Sequence, residues 1–307
     1  MSTAIAFRPF GLRTIGRLSL TALLSLSFLA PLVSPASSAG EVAAVTPAPV
    51  ATPVKPFAAR DATRYRENPN LSKHGLKHIE VVYESSLWPR GASRVQPDLR
   101  HISKVYIPKI RRKRLDVLVI DIEQWLFKPG QTAAQVSENI VKYKKVIDVF
   151  RRDLPGVKLG LYSVLPERNW LAPCGDPKKR ASRSASWQQR TLQIQPLADA
   201  VDIIFPSLYT FYETRPAAVA CWSDYAKANI EMAKQFGKPV WAFLWMKNRA
   251  GDTFLPPSLW KTQLETVYQY ADGMVLWSMA SSRDRWSWSA PWWVETAQFL
   301  KAKGLTK

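Results

Sequence analysis

Seven short apolar segments, each separated from the next by room for a helix, constrain the fold of this chain more than any other feature. They cover residues 79–84, 102–107, 117–122, 158–164, 201–209, 239–246 and 273–279. β-branched and aromatic residues are frequent in them, as suits strands on a buried, pleated surface. Between the segments the period lengthens. After Thr132, apolar residues recur at Val136, Ile140, Tyr143, Ile147 and Phe150, the spacing of one helical face. Thr132 and Gln135 have the form of a capping box, Arg151 and Arg152 suit a C-terminal dipole, and Pro155-Gly156 stops the helix. Residues 216–236, 258–270 and 290–303 read as further helices, and 182–195 as a less strongly patterned one. Strand and helix alternating about seven times predict α/β architecture with a parallel sheet. Over residues 76–307 this fits a distorted, TIM-like (β/α) barrel of about seven strands better than an open sheet.

In such barrels the chemistry sits on the loops that follow the C-terminal strand ends. Those ends are Asp121 and Glu123, then residues 163–170, 207–212, 245–248 and 277–282, and nearly all carry polar or aromatic groups. The first is the most informative. Val117, Leu118, Val119, Ile120 and Ile122 form an apolar strand broken only by Asp121, with Glu123 just after it. Alternation along a strand predicts that residues i and i+2 project to the same side. Two carboxylates side by side raise the pKa of one of them, and a carboxylic acid kept protonated near neutral pH is a general acid. The plainer alternative is that both groups meet water where the strand leaves the core.

Thirteen tryptophans are unusually many; at least half read as core or helix-packing residues, and the rest suggest platforms for the apolar faces of sugar rings. Arg8, Arg13 and Arg17, the apolar run 18–33 and the small residues 36–39 read as an export signal, with the mature chain beginning near Gly40. The alternative is an uncleaved anchor; no later run approaches a membrane span. Residues 40–75 read as an Ala/Pro-rich linker and extension. Residues 1–39 carry three basic and no acidic side chains, so their removal takes the formal charge from +19 to +16. Such a chain is drawn to anionic surfaces or polymers. Its basic residues do not gather on one helix or ribbon and no nucleic-acid motif occurs, so nucleic acid is not the expected partner. Cys174 and Cys221 form an even pair in an exported chain and are a possible disulfide. His74, His78 and His101 have no ligand spacing; neither a metal nor a cofactor is expected.

The pieces DVLVIDIEQW, KLGLYSVLPERNW, VDIIFPSLY, KPVWAFLWMKN and DGMVLWS are similar, in order and spacing, to barrel strands of the hyaluronidase-type glycoside hydrolases. The D-W-E-x-W segment of that family resembles Asp121-Ile122-Glu123-Gln124-Trp125, its P-S-I-Y strand end resembles Pro206-Ser207-Leu208-Tyr209, and its V-V-L-W strand resembles Met274-Val275-Leu276-Trp277. The resemblance implies a distorted barrel and retaining hydrolysis assisted by the N-acetyl group of the substrate. It makes Glu123 the general acid/base and Asp121 the group that holds the acetamide and keeps Glu123 protonated. Tyr209 would hydrogen-bond the acetamide and Trp277 would floor the site; the alternative for both is barrel filling. Asn169, Trp170, Trp245 and Trp125, also at strand ends, complete the candidate substrate-binding set. Two departures stand out. The family's P-D-C-Y is here Pro166-Glu167-Arg168-Asn169, which lacks the tyrosine unless Trp170 substitutes, and the arginine after its acidic segment is Leu126.

The expected function is therefore a periplasmic or extracellular glycoside hydrolase acting on an N-acetylhexosamine-containing, anionic polysaccharide. The alternatives are a cell-wall muramidase and a glycan-binding barrel without catalysis, serving polysaccharide assembly or export. The sequence does not indicate an oligomeric state.

Overall fold

The computed structural model describes residues 55–211, 216–249, 253–279 and 284–306. The expected export signal at 1–39, residues 40–54 of the Ala/Pro-rich stretch, Tyr212 and residues 280–282 lie outside the described residues.

Nine strands are described: β1 (Ala58–Ala62), β2 (Lys77–His78), β3 (Glu80–Tyr83), β4 (Val117–Asp121), β5 (Lys158–Leu161), β6 (Trp241–Trp245), β7 (Lys247–Asn248), β8 (Thr253–Phe254) and β9 (Gly273–Trp277). β9 pairs with both β6 and β1, β1 with β2, β3 with β4 and β4 with β5, all parallel. β2 and β3 are one run, joined at Ile79, whose N–H donates to the Asp61 carbonyl at 3.0 Å. The extended segment 203–210 fills the remaining gap through parallel bridges Tyr162–Phe205, Ile204–Val240 and Ser207–Phe243. The pairings thus run round a ring of seven parallel segments, which is the barrel the alternation predicts. β7 and β8 form a small antiparallel ribbon beyond β6.

The interior follows from the sequence of the strands. Val117, Leu118, Val119 and Ile120 are all buried, as a strand covered on both faces requires. Gly160 lets the chain come close: a Cβ there would collide with the Phe205 ring and the Ile203 carbonyl, so its absence is what seats segment 203–210 against β5. The crossover helix Ala133–Asp153 carries the capping box, with the Gln135 N–H donating to Thr132 Oγ1 at 3.2 Å and the Thr132 N–H to Gln135 Oε1 at 2.9 Å. Helices Arg180–Gln193, Pro216–Lys234, Pro257–Tyr270 and Pro291–Ala302 follow the expected ones within a few residues. None of the described helices is long and apolar enough to cross a membrane.

Two expectations need correction. Residues 102–107 are not a strand but a wide helical turn (Ile102–Tyr106) between the helical pieces Leu99–His101 and Ile107–Arg111. Asp98 caps this run, accepting the His101 N–H at 2.8 Å, and Ile102, Ile107 and Ile110 are its buried face while Val105 is exposed. The β-branched composition gave the wrong period. The barrel also begins before position 76, because β1 lies inside the stretch read as linker and extension. Its sequence, AARDA, has no β-branched residue, and only its pairing on both sides makes it a strand.

Candidate active site

Six segments of the ring bring side chains together at the C-terminal mouth. Asp121 is the last residue of β4, and Tyr83 on β3 lies opposite it in register. The Tyr83 hydroxyl accepts a hydrogen bond from Trp277 Nε1 at 2.8 Å. Trp277, at the end of β9, stacks on Tyr209 with centroids 5.3 Å apart and an interplanar angle of 22°. Trp245 meets both edge-on at 5.7 and 5.3 Å, and Tyr162 lies 6.0 Å from Tyr209. The result is an aromatic floor with a carboxyl group on its rim.

One buried polar atom in this cluster, Asp121 Oδ1, has no hydrogen-bond partner, and the Tyr209 hydroxyl has only the Tyr162 hydroxyl beside it. Unsatisfied buried polar groups are costly and rare, and one at this mouth points to a ligand that supplies the missing contact. Burial, reinforced by the negative charges of Glu123 and Glu84, pushes the Asp121 carboxyl up to about 8, so it holds a proton at neutral pH. Burial, helped by the nearby Tyr162 hydroxyl, also keeps the Tyr209 hydroxyl protonated.

The strand ends at Asp121, so the alternation expected to carry Asp121 and Glu123 to one face does not extend to Glu123. Glu123 sits exposed on the rim while Asp121 is largely buried. The two remain neighbours in charge, since Glu123 is the leading charged contributor to the raised Asp121 pKa. A proton therefore rests on Asp121 in the free protein at neutral pH. The turn between them is held from both sides. Tyr143, from the crossover helix, donates to the Ile122 carbonyl at 2.7 Å, and the Glu123 N–H donates to Glu84 Oε2 at 3.0 Å. Glu84 also accepts from Gln124 Nε2 at 3.3 Å and pairs with Arg94 at 2.6 Å. Sequence reasoning missed Glu84, Tyr83 and Tyr162 as site residues, although Glu84 and Tyr83 end a candidate strand.

The other expected site residues are placed as follows. Trp125 is 3% exposed, and its Nε1 donates to the Arg94 carbonyl at 2.9 Å. It braces the wall against Trp88 and Tyr143 and offers no face to a sugar. Trp245, at 2% exposure, fills the barrel behind the floor. Asn169 Oδ1 accepts the Ala172 N–H at 2.9 Å, and its backbone is bonded in both directions to Asn229. Trp170 packs on Tyr225 at 5.1 Å. Asn169 and Trp170 do line a cavity of about 380 Å³ beside the mouth, together with Arg168 and Phe211. Cys174 and Cys221 form a disulfide that joins the short helix Leu171–Cys174 to helix Pro216–Lys234 beside this cavity. No cluster of potential metal ligands occurs among the described residues.

No family model matches the chain, and no curated protein is similar to it. Among solved structures, the chain is similar to bee venom hyaluronidase in complex with a hyaluronic acid tetramer, at 14% identity and a TM-score of 0.58, covering 81% of this chain and 96% of that one. A monoclinic crystal structure of bee venom hyaluronidase matches at the same identity and TM-score, covering 81% and 99%. A mannanase from Thermotoga petrophila is similar at 12% identity and a TM-score of 0.46, covering 80% and 99%. The chain shares the barrel fold of the bee venom enzyme along nearly the whole length of that protein.

Proposed function

We propose that this protein is a glycoside hydrolase acting on an N-acetylhexosamine-containing polysaccharide, with Asp121 and Glu123 as a carboxyl pair that shares one proton. The observation that carries the reading is the coincidence, at one mouth, of a protonated, unpartnered Asp121 carboxyl, the buried Tyr209 hydroxyl and the half-buried Trp277 face. The fold shared with bee venom hyaluronidase, whose structure holds a hyaluronic acid tetramer, is consistent with it.

In this reading a hexosamine ring covers Trp277 and excludes water from Glu123. The shared proton then passes from Asp121 to Glu123. The acetamide oxygen attacks the anomeric carbon while Glu123 protonates the departing glycosidic oxygen. The ionised Asp121 accepts the acetamide N–H, which acquires positive charge as the cyclic intermediate forms, and Tyr209 donates to the acetamide oxygen. Glu123, now a carboxylate, takes a proton from the water that reopens the ring. The configuration is retained because the anomeric carbon is attacked twice. We also propose that the chain is exported, in keeping with a disulfide that an oxidising compartment sustains.

A second reading, glycan binding without cleavage, draws on the exposure of Glu123 in the free protein. One comparison separates the two: release of reducing ends from N-acetylhexosamine polymers by the wild type and by Glu123→Gln. Hydrolysis predicts turnover that falls by about 10²–10⁴-fold in the variant, the usual contribution of a general acid, with oligosaccharide affinity kept. Binding alone predicts no turnover by either.

A further inference from the structure

The aromatic floor does not stop at Tyr209. Phe211 continues it, stacked with centroids 6.2 Å apart and planes 24° from parallel. Two guanidinium groups converge on the Phe211 ring: Arg168 Cζ lies 3.4 Å from its centroid and Arg249 Cζ 5.6 Å. Among the described residues neither side chain has a carboxylate partner or a hydrogen bond. The adjoining cavity of about 380 Å³ adds Arg183 and Arg190. Its one carboxylate, Glu167, is already engaged by Arg190 at 2.9 Å.

The charge across the mouth is thus divided. Asp121, Glu123 and Glu84 gather at one end, where Glu123 and Glu84 act on the titration of Asp121, and the cations there are Arg94, already paired with Glu84, and Arg64 over the Tyr83 ring. Arginines gather at the other, beyond Tyr209. An anionic group placed beside Asp121 and Glu123 would face more carboxyl groups than cations, whereas one placed over Phe211 would meet two cations on an aromatic face. Arginine suits this task because its planar fork donates two parallel bonds to an oxyanion while its face stays on the ring.

We infer that Arg168 and Arg249, on the Phe211 platform, form a subsite for a sugar unit carrying an exocyclic oxyanion, adjacent to a neutral hexosamine held at the acid pair. The inference rests on the polysaccharide reading proposed above and names the residues that select its charge. The shared chemistry is an oxyanion on a pyranose ring, whether the carboxylate of a uronic acid or a sulfate ester.

The test is calorimetric binding to the full chain in a Glu123→Gln background, where no cleavage intervenes. The probes are three hexasaccharides: N-acetylhexosamine alternating with uronic acid, N-acetylhexosamine bearing sulfate and alternating with a neutral sugar, and neutral chitin hexasaccharide. The inference predicts that Arg168→Ala and Arg249→Ala each weaken binding of an acidic probe by about tenfold, as expected for a lost charge-assisted pair, and change chitin binding less than about twofold. Added salt should weaken the acidic probe and not the neutral one. The two acidic probes show whether carboxylate or sulfate is the preferred group. Equal losses on charged and neutral probes, or no binding by either acidic probe, overturn the subsite. Turnover by the wild type is read separately, so a binder that never cleaves would refute the hydrolase and leave the subsite standing. Both arginines are exposed, and an unchanged melting temperature certifies the variants as folded.

Discussion

The Asp121 carboxyl is where sequence and site meet. Its folded pKa, about 8 against an ordinary 3.8, has a consequence for stability. Between those values the native chain binds one more proton than the unfolded chain, so this group makes stability fall as pH rises. At about 1.4 kcal/mol per pH unit, the loss reaches at most roughly 5 kcal/mol at pH 8. An asparagine side chain cannot ionise. Asp121→Asn should therefore match the wild type near pH 4 and exceed it by a few kcal/mol near pH 8, measured by urea unfolding across that range. A difference independent of pH would mean that Asp121 is not buried as described. The acid pair was legible in the sequence because charge rarely interrupts a buried strand. Its division into a buried acid and an exposed one was not, because it depends on the strand ending at Asp121 and on Glu84 capturing the Glu123 N–H. Trp125 illustrates the converse: next to the acids in sequence, it is directed into the wall by its bond to the Arg94 carbonyl.

Among the elements, those with a strong period were legible and those made by pairing were not. The capped helix Ala133–Asp153 and strand β4 are each determined by their own residues. β1 is a strand only because β2 and β9 flank it, and the run from Leu99 to Arg111 is helical because Asp98 caps it and its isoleucines share one face. The loop after β5 shows how an element positions chemistry. It turns at Ser163, which takes a left-handed φ of 57°, and delivers Glu167, Arg168 and Trp170 to the cavity. The Cys174–Cys221 disulfide closes a 47-residue separation beside it. Cross-linking a loop of that length removes about 4 kcal/mol of unfolded-chain entropy in the simplest treatment. The double Cys→Ser variant should lose stability of that order in denaturant unfolding. No loss would show that the unfolded chain is not constrained by the bond.

At the scale of the whole molecule, the closed ring was anticipated from alternation alone, since parallel strands need crossovers and seven such units leave few other solutions. The ring gathers residues as distant in sequence as Tyr83, Asp121, Tyr209 and Trp277 at one mouth, with the acid pair at one end and the arginines on Phe211 at the other. The chemistry proposed at this mouth depends on one proton resting on the buried Asp121 carboxyl. Carbon-13 NMR titration of the Asp121 carboxyl, in the wild type and in Glu123→Gln, measures it directly. A buried, proton-holding Asp121 gives a midpoint near 8 that moves down when the Glu123 charge is removed. A midpoint in the ordinary carboxylate range, unmoved by the substitution, would contradict it.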